Sequence, residues 1–389
     1  MRTVVTQTSP RRITLVVSTL AAGGAERVMS IMANYWAAHG WQVTLVTVSS
    51  ETTDFYVLHP GVRRVALGQV TAPPRPWVAL GRRPWLELRR RPWIALRNNL
   101  RWIRRLRQEI RTVRPDVVLS FIHRMNIVTL LAVLGFRMPV IVSERSDARK
   151  HRIGPFWSAV RRLLYPKAQA VVVQSDAMRR WAETIISKDK VYVIPNPVML
   201  PAGSSDTVSP SGFTVVAMGR LGYEKGFDLL LRAFEKCVVE HPDWSLVILG
   251  EGPKRGGLTE LATKLGIEDR VRMPGLVREP AAVLRGASMF VLSSRYEGFP
   301  NALLEAMACG VPAVSFDCPS GPIEIVRDGV DGLLVPPEDV DALSAAMKRL
   351  MSDESERRRL ALRAPEVLQR FGVEKVMEAW EAVIQGVAR

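Results

Sequence analysis

The chain predicts an α/β protein of two doubly wound domains, each built on a parallel sheet, facing a central cleft. Three observations carry this prediction. Apolar runs alternate with amphipathic helical stretches through residues 13–174, the rhythm of βαβ units with helices on both faces of a sheet. Residues 201–212, PAGSSDTVSPSG, are rich in Pro, Gly and Ser and hold no periodic apolar signal, as an interdomain linker does. The strand–helix rhythm then restarts at Phe213.

In the first half, Ile13–Val17 predicts a buried parallel strand, because such strands read as continuous apolar runs. Arg11-Arg12 followed by Ile13 to Ala22 imitates a signal peptide, but Ala-Gly-Gly-Ala-Glu after the run reads as a strand-to-helix loop. Ala25–His39 predicts an amphipathic helix ended near Gly40, and Val43–Val48 a second strand. Val117–Phe121, Val140–Ser143 and Ala170–Gln174 predict further strands. In the second half, strands are expected at Phe213–Met218, Leu246–Leu249, Met289–Ser293 and Ala313–Phe316, with helices at Gly226–Glu240 and Asn301–Cys309. The divisions are drawn at 1–200 for the amino-terminal domain, 201–212 for the linker, 213–365 for the carboxyl-terminal domain and 366–389 for a terminal helix.

The formal net charge of +16 is unevenly placed. Residues 1–195 carry 32 Lys/Arg against 11 Asp/Glu, a net of +21, while residues 196–389 carry 22 against 27, a net of −5. A basic excess confined to one half points to a polyanionic partner for that half. No apolar run reaches the roughly 18 residues of a membrane-spanning helix; the longest candidate, Ile127 to Val142, is interrupted by Arg137 and Pro139. Cys237, Cys309 and Cys318 form no paired framework and no metal-ligand spacing, which suits a reducing compartment.

The basic insertion 72–114 breaks the rhythm. Residues 75–98 are a tandem octad in which Trp77, Trp85 and Trp93 recur every eight residues, each preceded by Arg-Pro. Each proline is placed to open a short helix, and the last octad runs into the basic, helix-periodic Leu100–Arg114. Arginine with tryptophan is the composition of an interfacial segment on an anionic leaflet. Arg83, Trp85, Arg90, Arg91 and Trp93 are the candidate membrane or acceptor contacts. The competing description is a solvated insertion.

Two motifs carry chemistry in the second half. The strand Phe213–Met218 leads into Gly219-Arg-Leu-Gly-Tyr-Glu-Lys-Gly226, which places Arg220 and Lys225 at a strand's carboxyl end. Two cations in one such loop suit a diphosphate. The strand Met289–Ser293 leads into Ser294-Arg-Tyr-Glu-Gly-Phe-Pro-Asn301 and a helix; a Gly/Pro loop feeding a helix presents free N–H groups to an anion. Glu297 stands in that loop and Glu305 within the helix, seven residues between them, suited to sugar hydroxyls and to a ribose respectively. As ordinary residues they are a cap and a surface carboxylate. Asp339 and Asp341 suggest a metal pair, but Asp339 opens a helix and is better read as its cap.

With Gly-Gly-Ala-Glu at 23–26, Gly250-Glu-Gly-Pro253 and Gly-Pro-x-Glu-Ile-Val…Asp-Gly-x-x-Gly-Leu-Leu-Val at 321–335, these motifs resemble, in order and rough spacing over nearly the whole chain, the retaining family 4 of glycosyltransferases. The resemblance implies the GT-B fold, two Rossmann-like domains, with the tail crossing back to the first. It implies that Gly23 and Gly24 approach donor phosphates and acceptor, and that Arg220 and Lys225 bind the diphosphate. Glu297 would contact the donor sugar and Glu305 the ribose, with Phe299, Pro300 and Asn301 near the phosphates. Glu251 and the loop containing Met273 would line the nucleotide site. It implies a nucleotide-sugar substrate, no cofactor and no metal. Many relatives carry a histidine after the fourth or fifth strand; here Val142-Ser-Glu-Arg-Ser-Asp147 places Glu144 or Arg145 there, with His123 an alternative. Glu144 is the expected acceptor-facing base.

The Ser-Glu-Arg-Ser-Asp segment and Phe55-Tyr-x-Leu58 are similar to those of transferases acting on polyprenyl-diphosphate-linked glycans. This implies a hexose or N-acetylhexosamine moved, from a UDP-sugar, to such an acceptor in surface polysaccharide synthesis, by a cytoplasmic protein peripheral on the anionic inner face of the plasma membrane. A nucleotide-sugar epimerase of the same fold is the alternative. A basic nucleic-acid-binding protein is the other; no zinc-finger, RNP or helix-turn-helix signature supports it, so no nucleic acid is expected as a partner.

Overall fold

A computed structural model describes residues 11–68, 92–150, 153–199 and 212–387, with the side chains of 92–98 left aside. Two compact units divide the chain: Met1–Val173, Arg179–Ile194 and Met377–Arg389 form the first, Gln174–Met178 and Pro195–Val376 the second.

The first unit holds a seven-stranded sheet: β1 (Arg12–Val17), β2 (Gln42–Thr47), β3 (Val62–Ala66), β4 (Val117–Phe121), β5 (Val140–Ser143), β6 (Ala170–Val173) and β7 (Val191–Val193). The spatial order is β3-β2-β1-β4-β5-β6-β7, and every pairing is parallel. The central strands are buried on both faces, which is why they stand out as apolar runs. β3 and β7 were not foreseen. Both are edge strands, and Arg63 and Arg64 interrupt the apolar pattern of β3.

The helix Val373–Val387 runs into this unit from Met377 onward. Trp380 is fully buried, its ring 6.1 Å from that of Phe121, and Trp36 donates its Nε1–H to Glu381 at 3.2 Å.

The second unit holds six parallel strands: β8 (Phe213–Met218), β9 (Trp244–Leu249), β10 (Val271–Gly275), β11 (Met289–Leu292), β12 (Ala313–Phe316) and β13 (Gly332–Val335). Their order is β10-β9-β8-β11-β12-β13. Its helix Phe227–Val238 buries Phe227, Leu230, Leu231, Phe234 and Cys237, one face of a 3.6-residue repeat. The sequence placed Arg272–Leu276 in a loop. The structure makes most of it an edge strand with an irregular register between Arg272 and Gly275; Pro274 is tolerated there because an edge needs fewer ladder donors.

Most of the octad, with Arg83, Trp85, Arg90 and Arg91, lies outside the described residues, as does the linker through residue 211 and the side chain of Trp93. The third octad does not form a separate short helix: Pro92 opens one continuous helix, Pro92–Val113. Several of its arginines serve the unit itself. Leu106 and Ile110 are buried, Arg105 donates to the Leu67 carbonyl, and Arg107 donates to the carbonyls of Ala132 and Leu134 while lying over Phe136. Arg101, Arg104 and Arg111 are exposed.

Candidate functional site

In an open parallel sheet, ligands bind beyond the carboxyl ends of the strands where the strand order reverses. In the second unit that point lies between β8 and β11, the two strands whose following loops carry Arg220, Lys225 and Glu297.

The loops are laced together. Gly226 has φ +61°, and a Cβ there would stand 2.0 Å from the Ser293 carbonyl oxygen, so only glycine lets the two loops meet this closely. Ser293 Oγ donates to the Lys225 carbonyl at 3.0 Å. Lys225 Nζ donates to Glu297 Oε1 at 2.6 Å, and Ser294 Oγ donates to the same oxygen at 2.6 Å. Lys225 and Glu297 are mostly buried, their side chains 20% and 10% exposed, while Arg220 is exposed. A cation and a carboxylate thus sit in contact at the switch point of the sheet. A polyanion brought to this point would compete with Glu297 for Lys225 and leave the carboxylate open to hydroxyl donors.

Arg295, quoted within the motif but given no role by sequence, holds the arrangement. It donates bidentately to Asp228 at 2.9 and 2.7 Å, to the Tyr223 carbonyl at 2.8 Å and to Glu338 at 3.1 Å. Its guanidinium lies 4.2 Å from the centre of the Tyr223 ring, and its N–H bonds the Glu224 carbonyl. Burial pushes the Asp228 carboxyl up, but the Arg295 hydrogen bonds and charge outweigh it, and the net direction is down. Arg295→Lys keeps the charge and loses the fork. With the Arg295 side chain 8% exposed, the substitution is expected to cost about 1.5–3 kcal/mol, read as a lower urea midpoint at unchanged m-value; an unshifted midpoint contradicts it.

The loop after β9 closes the other side. Gly250 N–H bonds the Gly275 carbonyl, Gly219 N–H the Leu249 carbonyl, and Leu221 N–H the Glu251 carbonyl. Gly250 has φ +138°, and a Cβ there would stand 1.9 Å from the Gly219 carbonyl oxygen. Glu251 is engaged by Arg255, whose Nε lies 2.8 Å from Oε1; that bond, ahead of the opposing burial, lowers the Glu251 carboxyl. Arg255 also donates to the Met273 and Gly250 carbonyls, so the Met273 strand end and the Gly250 loop are fixed through one guanidinium.

The helix Asn301–Ala308 begins after Pro300, with no side chain capping it. Phe299 is buried, its ring against Phe371 at 5.4 Å. Asn196 donates to the Phe299 carbonyl and to Asn301 Oδ1 and accepts from Gln174; this amide chain spans residues too distant in sequence to be foreseen. Pro300 packs against Gly321, where a Cβ would stand 2.7 Å from Pro300 Cδ. Glu305 is 5% exposed. Cys318 is pushed up to about 12 by burial and by the nearby Glu297 charge. Asp339 accepts from the Ala342 N–H and caps the helix Val340–Ser352, as its position suggested, and Asp341 pairs with Lys236.

In the first unit, the Tyr56 hydroxyl donates to the Gly23 carbonyl at 3.0 Å and accepts from its N–H at 3.3 Å. The glycine loop is therefore clamped where the helix Gly24–Ala38 begins. Burial raises the Glu26 carboxyl beside it. β4 turns into the helix His123–Ala132 through Ile122, a β-branched residue at φ +73°, an uncommon conformation that concentrates at functional sites. His123 follows it and is 8% exposed. Arg145 lies 4.2 Å from the Phe121 ring centre.

Glu144 is enclosed, its side chain 1% exposed. It accepts from the Tyr165 hydroxyl at 2.5 Å and faces Arg161 at 3.6 Å. Tyr165 in turn accepts from Asn126, which also bonds Ser120 and the Ser143 carbonyl. The carboxylate thus braces the Ile122 turn rather than opening to solvent. Burial raises its pKa from the ordinary carboxylate value, against the opposing Tyr165 bond and Arg161 charge. A raised folded-state pKa means the folded protein holds this proton more tightly than the unfolded chain does. That contribution is complete at low pH and is lost as pH rises through the folded pKa. Glu144→Gln, which keeps an acceptor for Tyr165, is expected to flatten the fall in stability from the ordinary carboxylate range upward, measured by denaturation at pH 5 and pH 8, and to retain transfer. Loss of activity with an intact fold restores the role of general base.

Two family models match the chain in tandem: Glycosyltransferase Family 4 over residues 22–200 and Glycosyl transferases group 1 over residues 207–367. An exopolysaccharide phosphotransferase of Streptomyces coelicolor is 33% identical over 71% of this chain, which spans only 29% of that protein's length. An amylovoran biosynthesis glycosyltransferase of Erwinia amylovora is 27% identical over 93% of this chain and 96% of its own. A Campylobacter jejuni α-1,4-N-acetyl-D-galactosaminyltransferase, named for a GalNAc-containing diphospho-undecaprenol acceptor, is 26% identical over 97% and 99%. Among solved structures, an Anabaena protein in complex with UDP and glucose superposes with a TM-score of 0.77 at 19% identity, over 97% of this chain and all of that one, a likeness of fold.

Proposed function

Because the chain belongs to the glycosyltransferases that join a family 4 domain to a group 1 domain, we propose that it is a retaining, metal-independent transferase that moves a hexose or N-acetylhexosamine from a UDP-sugar to a polyprenyl-diphosphate-linked glycan. The observation that carries the donor side is the Lys225–Glu297 contact at the switch point between β8 and β11. Arg220 and Lys225 take the diphosphate. Glu297, released from Lys225, accepts from sugar hydroxyls, and Glu305 from the ribose. The base lies against the Met273 strand end that Arg255 holds. As the glycosidic bond breaks, negative charge grows on the leaving diphosphate, and fixed cations with a helix N-terminus stabilise it without reorganising. Gly23 and Gly24, in the loop that Tyr56 clamps, are assigned to donor phosphates and acceptor, and His123, beside the Ile122 turn, to the acceptor.

The acceptor side is supported by the +21 charge of residues 1–195 and by the acceptor for which the Campylobacter relative is named. No described helix is long and apolar enough to cross a membrane; a peripheral place on the anionic inner face of the plasma membrane, aided by the Arg/Trp octad, is part of the same proposal. The test is nucleoside diphosphate release from a panel of UDP- and GDP-sugars in EDTA, with and without polyprenyl-diphosphate-linked glycans in detergent. Release that needs one UDP-sugar and the lipid acceptor, and survives EDTA, is the expected result. Acceptor-independent conversion of the donor establishes an epimerase instead.

A further inference from the structure

The helix Pro155–Leu164 of the first unit carries a face that no other described part of the chain covers. Phe156 is 68% exposed and Leu163 70% exposed. They stand seven residues apart, on one side of the helix. Ala159 and Arg162, between them, are exposed as well. Trp157 meets Phe156 edge-on at 5.5 Å. The opposite face is fastened: Leu164 and Arg161 are buried, and Arg161 reaches Glu144 and lies 4.6 Å from the Trp181 ring centre. The apolar face is therefore held rigidly outward.

Its charge identifies what it meets. Residues 145–167 hold seven Lys/Arg against the one acidic residue Asp147; Arg149 pairs with that carboxylate, while Lys150, Arg162 and Lys167 are exposed. A second protein surface that covered Phe156 and Leu163 would also have to neutralise these cations. An anionic bilayer supplies both an apolar interior for the rings and phosphates for the cations.

We propose that the Phe156/Leu163 face is a docking surface for anionic phospholipid, distinct in sequence from the Arg/Trp octad. It gives the peripheral membrane reading a structured contact, and rests on that reading only for its purpose. The helix follows β5, so seating it on a bilayer brings the loop containing Glu144 and Arg145 toward lipid-linked material.

The experiment is flotation of the full chain, without donor or acceptor, on vesicles of phosphatidylcholine with and without phosphatidylglycerol. The wild type is expected to float with the anionic vesicles only. The double variant Phe156→Ser/Leu163→Ser is expected to bind about tenfold more weakly or worse, and Arg162→Glu to weaken binding with a smaller dependence on salt. Val239→Ser, at a residue 78% exposed in the second unit, is expected to bind as wild type, and matching melting curves show that all variants fold. Unaltered flotation of the double variant overturns the proposal, as does wild-type protein that ignores anionic lipid. A change in oligomeric mass with vesicle binding intact overturns it in favour of a second copy. Failure of the lipid-linked acceptor in the release assay leaves flotation untouched, so the two proposals fail separately.

Discussion

Lys225→Gln is expected to lower kcat/KM for transfer by about two to three orders of magnitude, roughly 2.7–4 kcal/mol of lost stabilisation as the nucleotide leaves. Lys225 Nζ is held 2.6 Å from Glu297, and its methylenes fold over Gly219, where a Cβ would stand 3.1 Å from its Cε. The ammonium is fixed before any donor arrives. Lys225→Arg is not expected to rescue the loss, because a broad planar guanidinium in place of a compact ammonium needs room that Gly219, Ser294 and Glu297 occupy. Steady-state rates with the donor found in the panel, together with nucleoside diphosphate affinity, check this. A variant that loses affinity for the intact donor but not for the diphosphate places Lys225 on the sugar instead.

The second large effect concerns folding. Gly250→Ala is expected to destabilise the second unit by about 3 kcal/mol or more, because the new methyl group meets the Gly219 carbonyl at 1.9 Å in a backbone conformation with φ +138°. For a unit of this size the melting temperature should fall by roughly 6–12 °C. Gly257→Ala, at a helical glycine with open space around its Cβ position, serves as the contrast and is expected to be neutral or stabilising. Equal behaviour of the two variants refutes the steric account.

Much of this fold is visible in the sequence because its central strands are buried on both faces. Ile13–Val17, Val117–Phe121 and Val140–Ser143 are written in apolar residues alone apart from hydroxyls that tuck into the core. The failures share a physical cause. β3, β7, β10 and β13 lie at sheet edges, where one flank needs no burial; Arg63 and Arg64 in β3 and Pro274 in β10 erase the period, and β7 and β13 run for only 3 and 4 residues. The candidate site was legible where one loop carries both charged groups, as with Arg220 and Lys225 after β8. It was not legible where function depends on partners remote in the chain. Arg295 reaches Asp228, 67 residues away, and Asn196 reaches Asn301 across 105. Glu144 shows the converse: its type and position suggested a base, and only the surrounding Tyr165 and Arg161 reveal that it is enclosed. Arg105 and Arg107 likewise counted toward a basic patch, though both are spent on backbone carbonyls.

The burial of Trp380 against Phe121 has a consequence for how the chain is made. Met377–Arg389 belong to the first unit, so that unit cannot finish its core before they have left the ribosome. The nascent chain must wait, with the Phe121 and Trp36 pocket open, until the whole second unit has been synthesised. Such late closure leaves apolar surface in reach of chaperones and of other nascent chains. A stop codon just before Met377, far in sequence from β1 and β4, should therefore damage the amino-terminal sheet more than the carboxyl-terminal one.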